Sequence, residues 1–461
     1  MRKLISGITL TTMLLAGNLA LGEDLVEVYG QALRNDPGIR EAEANMMASF
    51  ERKPQALAAL LPQLSASGSW ENRNDENVSL GLSSFLEGSG GVLSRTENDT
   101  DNWNARISLN QSLIDKSKWI DLKKADKEVA RARADFESAQ QELIARVAEA
   151  YFNVLAAQDS LMALQDAKNA FGRQLEQAER RFEVGLIAIT DVKESQAAYD
   201  DAIASEIDAK RQLANSKEAL REITGDYPED LAAPKDEFPL SPPEPEIEQD
   251  WVDLAMQQNF ALESAKLSAD ITRENVRSAR SDHLPTLDLS GSVGTGENDG
   301  TRIDLVTLDE TINRSERDSY NFGIQLNIPI FSGGGVSSRV QENVYLHRAS
   351  RENYEKIARQ TERETRDAYF GVISDITRVK ALKRSVESNQ TALEATEAGY
   401  NVGTRTTVDV LDAQRDLSQA LTQYARSKYD YLFNVLKLKQ AAGALSSSDV
   451  EELNLLFSDK N

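Results

Sequence analysis

Residues 320–330 read Tyr-Asn-Phe-Gly-Ile-Gln-Leu-Asn-Ile-Pro-Ile, and every second residue is large and apolar. Tyr320, Phe322, Ile324, Leu326, Ile328 and Ile330 fall on one side, opposite Asn321, Gln325 and Asn327. A period of two is that of a β-strand, whose side chains alternate between faces. Three other stretches share it. After Pro62, Leu64, Ala66, Gly68 and Trp70 alternate with serines and Glu71. Trp103, Ala105, Ile107 and Leu109 alternate with Asn104, Arg106, Ser108 and Asn110. Leu287, Leu289, Gly291 and Val293 alternate with Asp288, Ser290 and Ser292.

Each run covers roughly nine to twelve residues, the length of a tilted transmembrane strand. Strands of a soluble sandwich alternate in the same way, so the pattern alone leaves both settings open. Trp70, Trp103 and Tyr320 favour the membrane, because they sit at the strand ends nearest the connections, where an interfacial aromatic girdle belongs. The stretches 72–101 and 296–318 are polar and read as long outward loops. Four strands cannot close a barrel and lipid tolerates no open edge, so the chain must pool strands with copies of itself.

Between the strand pairs lie helices of unusual length. From Ser117 to Phe182 only Gly172 interrupts, and from Val336 to Ala398 only Gly371. At about 1.5 Å per residue each spans roughly 95 Å. Each leads past a glycine into another helix with a heptad seam. In the second, Val410, Leu417, Tyr424, Tyr431 and Leu438 recur every seven residues, with Ala413, Ala420, Ser427, Asn434 and Ala441 three further on. In the first, Val192, Tyr199, Glu206, Leu213 and Leu220 do so, with Ser195, Ala202, Ala209, Ser216 and Ile223. Large and small residues at alternate seam positions suit close coiled-coil packing; Glu206 is the exception. Pro62 and Pro285 mark helix-to-strand junctions, and Gly333-Gly334-Gly335 marks a sharp exit. Both hairpins leave and rejoin helices at the same end, which puts all helices on one side of the membrane.

The chain repeats itself. Tyr151, Phe182, Gly185, Asp191, Gln196 and Gly225 recur as Tyr369, Tyr400, Gly403, Asp409, Gln414 and Gly443 at one constant offset. The expected organisation is a signal peptide over 1–22, repeats over 23–225 and 250–443, a linker over 226–249, and a tail over 444–461. The linker holds six of the chain's eleven prolines. Arg2 and Lys3, the apolar run to Ala16 and the small residues Ala20 and Gly22 make the signal peptide.

Without 1–22 the chain has 75 acids against 50 bases (52 less Arg2 and Lys3). That balance excludes a nucleic-acid partner, which needs a basic face. There is no cysteine and there are only two histidines, His283 and His347, with no phosphate loop and no metal-ligand cluster. No cofactor and no enzymatic activity are expected, and His283 is expected to pack at a helix end. The acids concentrate where the helical hairpins turn. Gly185 and Gly403 suit left-handed helix caps. Just beyond them lie Asp191 with Glu194 and Asp409 with Asp412, each pair on one helical face. First-turn acids favour the helix dipole, and in a ring of copies they also make circles of carboxylates that attract cations. Phe182 and Ile187 align with Tyr400 and Arg405, so the two hairpins differ at the turn.

Val184-Gly-Leu-Ile-Ala-Ile-Thr-Asp-Val192 and Ala398-Gly-Tyr-Asn-Val-Gly-Thr-Arg-Thr-Thr-Val-Asp-Val-Leu-Asp412, with His283-Leu-Pro-Thr-Leu287 and the Ser332-Gly-Gly turn, resemble the TolC family of trimeric outer-membrane channels. The resemblance runs from about Glu23 to Leu456 and implies an α+β membrane protein: a homotrimeric twelve-stranded β-barrel, four strands per chain, continued by an α-helical coiled-coil barrel into the periplasm. It implies an exit duct for efflux or type I secretion, opened when a periplasmic adaptor and an inner-membrane pump dock. It also implies that Asp191, Tyr400 and Arg405 latch the tip, and that Asp409 and Asp412 line the constriction, with cation binding there. The alternative reading is a soluble periplasmic coiled-coil protein, structural or adaptor-like.

Overall fold

The computed structural model describes residues 22–81, 92–235, 238–305 and 307–457. The expected signal peptide lies outside them except for Gly22, as do the last residues of the tail. In order come α1 (Leu25–Asn35), α2 (Pro37–Phe50), α3 (Arg52–Ala58), β1 (Gln63–Gly81), β2 (Val92–Ile114), α4 (Lys116–Glu183) and α5 (Ile189–Thr224). Then follow α6 (Glu248–Gln258), α7 (Phe260–Ser281), β3 (Thr286–Asp304), β4 (Glu310–Asn327), α8 (Gly335–Asn401), α9 (Thr407–Ala441) and α10 (Ser447–Asn454). The chain forms two compact units, Asn45–Arg133 with Ser264–Glu355, and the remainder.

The first unit holds one antiparallel sheet in the order β1-β2-β3-β4. β1 and β3 begin one residue after Pro62 and Pro285. Left-handed Gly333 and Gly334 turn the chain into α8. The strands correct one expectation: they are 18 to 23 residues long, about twice the apolar runs. The stretches read as loops, 72–101 and 296–318, are mostly strand. Polar cross-strand pairs extend the ladder where no apolar face exists: Asn72 Nδ2 donates to Asp101 Oδ1 at 3.0 Å and Asn74 Nδ2 to Glu97 Oε1 at 3.3 Å. Periodicity of hydrophobic residues cannot register such strands.

Register puts Leu64, Leu109 and Phe322 on one face with Ala66, Ile107, Val293 and Tyr320. This face is bare: Tyr320 is 91% exposed, Phe322 74% and Leu64 72%. So large an unburied apolar surface marks contact with lipid or protein. His283 lies just past α7, its N–H to Arg280 O at 3.3 Å. It is exposed there rather than packed.

The second unit is helical. One core joins Leu143, Val147, Tyr151 and Val154 of α4 to Val372 and Val379 of α8 and Leu432, Leu436 and Leu438 of α9. Burying each such side chain is worth about 1.5–3 kcal/mol. Tyr151 is wholly buried, and its hydroxyl points between Ala232 O (2.6 Å) and Glu23 O (3.1 Å). Burial, ahead of the nearby acids, raises its pKa. Tyr369, at the equivalent place on α8, donates to Glu246 O. Two tyrosines thus hold the two ends of the proline-rich linker. Helix boundaries also match: Asp36 caps α2 through Ile39 N (2.8 Å), as Asn259 caps α7 through Leu262 N (3.0 Å).

The seams read from the heptads are buried at Val192, Ser195, Ala202, Ser216, Leu220, Val410, Leu417, Ala420, Ser427 and Leu438. Glu206, the polar exception in the first seam, is a paired carboxylate. Only 6% exposed, it accepts from Lys168 Nζ of α4 and Lys210 Nζ of α5, both at 2.8 Å. Those bonds, Lys168 first, bring its pKa down to about 2. A buried carboxylate is tolerable when it is paired in this way.

Candidate functional site

The candidate site is built at the ends of the two helical hairpins, where α4 turns into α5 and α8 into α9. Gly185 has φ +70 and Gly403 φ +80, conformations that glycine adopts without steric cost. Gly185 N bonds Phe182 O (2.9 Å) and Leu186 N bonds Arg181 O (2.8 Å). Gly403 N bonds Tyr400 O (3.1 Å) and Thr404 N bonds Gly399 O (2.9 Å). Both are Schellman caps, the termination expected of these glycines.

The acids past the turns close the next helices. Asp409 Oδ2 accepts from Thr406 N (2.8 Å) and Thr406 Oγ1 (2.9 Å), and Asp409 N donates to Thr406 Oγ1 (3.2 Å). This reciprocal box holds the Asp409 pKa below its usual range, through the Thr406 backbone bond first and Arg405 last. Asp191 Oδ2 accepts from Ala188 N at 3.1 Å, but alanine has no oxygen to return, so only half of a box forms in the first hairpin. Asp412 is exposed and accepts from Arg415 Nη1 at 3.0 Å, one turn on. Asp409 and Asp412 therefore share the first turns of α9, one bound into the backbone and one toward solvent.

Among the described residues no hydrogen bond or ion pair joins Asp191 to Tyr400 or Arg405 within one chain; Asp191 accepts from Ala188 N instead. Tyr400 is 6% exposed. Its hydroxyl accepts from Thr407 Oγ1 at 3.4 Å, and the guanidinium of Arg181 lies 4.4 Å from its ring centre. Arg181 Nη2 also donates to Asn401 Oδ1 at 3.3 Å. The first hairpin thus grips the second through a cation–π contact and a hydrogen bond. Arg405 folds back over Gly399, where an added Cβ would come within 2.8 Å of Arg405 Cγ.

Arg181 and Thr406 escaped the reading of the sequence. Arg181 aligns with Gly399 across the repeat, so the comparison that exposed Arg405 contained the signal: one hairpin carries its guanidinium before the turn, the other after it. Between the hairpins a cleft of about 300 Å³ is lined by Phe171, Gln174, Glu397, Tyr400, Leu411 and Gln414. Among the described residues no group of three or more His, Cys, Asp and Glu side chains could hold a metal ion.

Comparisons with known proteins agree with this architecture. The sequence matches the profile of the family described as outer membrane efflux protein over residues 28–226 and 251–444. It is 36% identical over 433 residues to outer membrane protein TolC of Vibrio cholerae, covering 94% of this chain and 93% of that protein. It is 30% identical to the alkaline protease secretion protein AprF of Pseudomonas aeruginosa, covering 98% and 91%. The crystal structure of the Campylobacter jejuni CmeC outer membrane channel superposes with a TM-score of 0.73 at 18% identity, covering 94% of this chain and 89% of that one.

Proposed function

The chain belongs to the outer membrane efflux protein family, and from that premise we propose that it is the gated outer-membrane exit duct of an efflux or type I secretion assembly. The observation that carries this reading is the sheet: one bare apolar face, one polar face and two unpaired edges at β1 and β4. Lipid covers such a face only if the edges are paired, and among copies of this chain three would close twelve strands.

The aromatics support a tilted barrel. Tyr320 lies on the rung of Ala66, four residues from Trp70 along β1, and three strands away. Bringing Trp70 and Tyr320 to one membrane level sets about 13 Å along the strands against about 14 Å across them, a tilt of roughly 40°. The matching halves, 23–225 and 250–443, are read as an internal duplication that supplies one helical hairpin each to the tunnel.

At the tunnel end, the exposed Arg405 of one copy reaches Asp191 of the next, and the Tyr400 hydroxyl, which faces Thr407 in the single chain, joins that link by turning outward when the copies assemble. Asp409 and Asp412 face the axis as cation-attracting rings. Charge-assisted links of about 1.5–3 kcal/mol each hold a closed state that a docking partner can break. That partner is a periplasmic adaptor with its inner-membrane pump. The chain is a conduit and carries no catalytic role.

Fractionation of cells expressing the chain tests the reading at its base. The protein should leave the membrane only with detergent and run as a trimer by native mass spectrometry. Release without detergent would return it to the soluble coiled-coil alternative.

A further inference from the structure

The polar face of the sheet holds charge that neither membrane insertion nor the hairpin gate uses. Around and beyond the Trp70–Trp103 rung, the face that bears the apolar side chains is acidic, with Glu97, Asp99, Asp101, Glu297, Asp299 and Glu316. The opposite face carries an arginine on each strand: Arg73, Arg106, Arg302 and Arg317. Arg73 lies 3.9 Å from Glu71 and 3.6 Å from Asp75. Arg106 and Arg317 form no hydrogen bond or ion pair among the described residues. In a chain with 75 acids, guanidiniums on the polar face that form no ion pair among the described residues, Arg302 included, are not a product of composition, and of these Arg106 and Arg317 lie nearest each other in the register.

The register brings these two together. Arg106 pairs with Gly294 of β3, which pairs with Ser319; Asn104 pairs with Gly296, which pairs with Arg317. The arginines therefore flank β3 where its residues have no side chains. A Cβ at Gly294 would lie 3.4 Å from Arg106 Cβ and 3.5 Å from Ser319 Oγ, and one at Gly296 2.8 Å from Trp103 O. The resulting cleft, about 230 Å³, is lined by both arginines with Asn102, Asn104 and Asn298; Glu297 borders it too, but its carboxylate is held by Trp103 Nε1 and Arg314 on the other face. Planar guanidiniums match the paired oxygens of carboxylates and phosphates, and amide and hydroxyl donors complete such a shell.

We propose that Arg106 and Arg317, across the bare backbone of Gly294 and Gly296, form an anion-binding site for the carboxylate or phosphate groups of solutes leaving the duct. The proposal rests on the reading of this face as the lumen wall. The site gives anionic cargo a foothold near the exit of a strongly acidic protein, where like charge would otherwise repel it.

Calorimetric titration of inorganic pyrophosphate into the detergent-solubilised full chain tests it, with planar-bilayer conductance measured on the same preparation. Saturable binding is expected, at least tenfold weaker in Arg106→Ser/Arg317→Ser and within twofold of wild type in Arg314→Ser, on the outward face. Should the serine pair not assemble, Arg106→Lys/Arg317→Lys keeps the charge but loses the fork and must weaken binding severalfold. No binding to the wild type, or equal affinity in the paired variants, overturns the site. Conduction without binding removes the site and leaves the duct, whereas binding without conduction removes the duct.

Discussion

At Gly403 the backbone enters a conformation that costs an L-residue with a Cβ about 1–2 kcal/mol. Gly403→Ala should therefore loosen the second hairpin locally, and limited trypsinolysis should cut at Arg405 severalfold faster while the melting temperature hardly moves. Unchanged cleavage would remove the cap from the account. Asp409 yields a prediction with a definite sign. Its pKa is lowered in the fold, so its capping contribution is complete above about pH 4, the unfolded value, and is lost as pH falls through the folded one. Glu206 behaves likewise between 4.5 and about 2. In Glu206→Gln the fall of melting temperature between pH 5 and pH 3 should be shallower than in wild type; an equal slope would show that the carboxylate is not linked to folding. At this scale the glycines and acids of the turns could be read directly, because a left-handed cap and an N-terminal acid each follow from one residue type. The Arg181–Tyr400 contact could not, since it depends on how two hairpins lie side by side.

Among the elements, the long helices and their seams were legible because burial repeats along them every seven residues. The outer halves of the strands were not, because Asn72, Asn74, Asp99 and Asp101 extend β-structure through hydrogen bonds rather than through an apolar face. The grip of Tyr151 on the linker was equally hidden: it joins residues 81 positions apart with no motif to announce it. Tyr151→Phe leaves Ala232 O without its buried donor and should cost about 1–3 kcal/mol. Hydrogen–deuterium exchange should show it as faster exchange over 231–235, with the hairpin tips unaffected. Exchange as slow as in wild type would mean that packing against Phe457 holds the linker without the hydroxyl.

For the whole molecule, what covers the sheet decides how the chain works. β1 and β4 of one chain lie three strand spacings apart, about 14 Å, beyond disulfide reach. Pairing Ser67→Cys with Asn321→Cys, Gly323→Cys or Gln325→Cys should therefore give covalent dimers and trimers in at least one combination, and monomers alone would contradict shared closure. A duct held shut at its helical end should reveal itself in single-channel conductance in planar bilayers, wild type beside Arg405→Ser. Wild type should show a small conductance that rises severalfold in the variant. Equal conductance in the two would remove Arg405 from the gate, and inserted protein that conducts in neither form would contradict the duct itself.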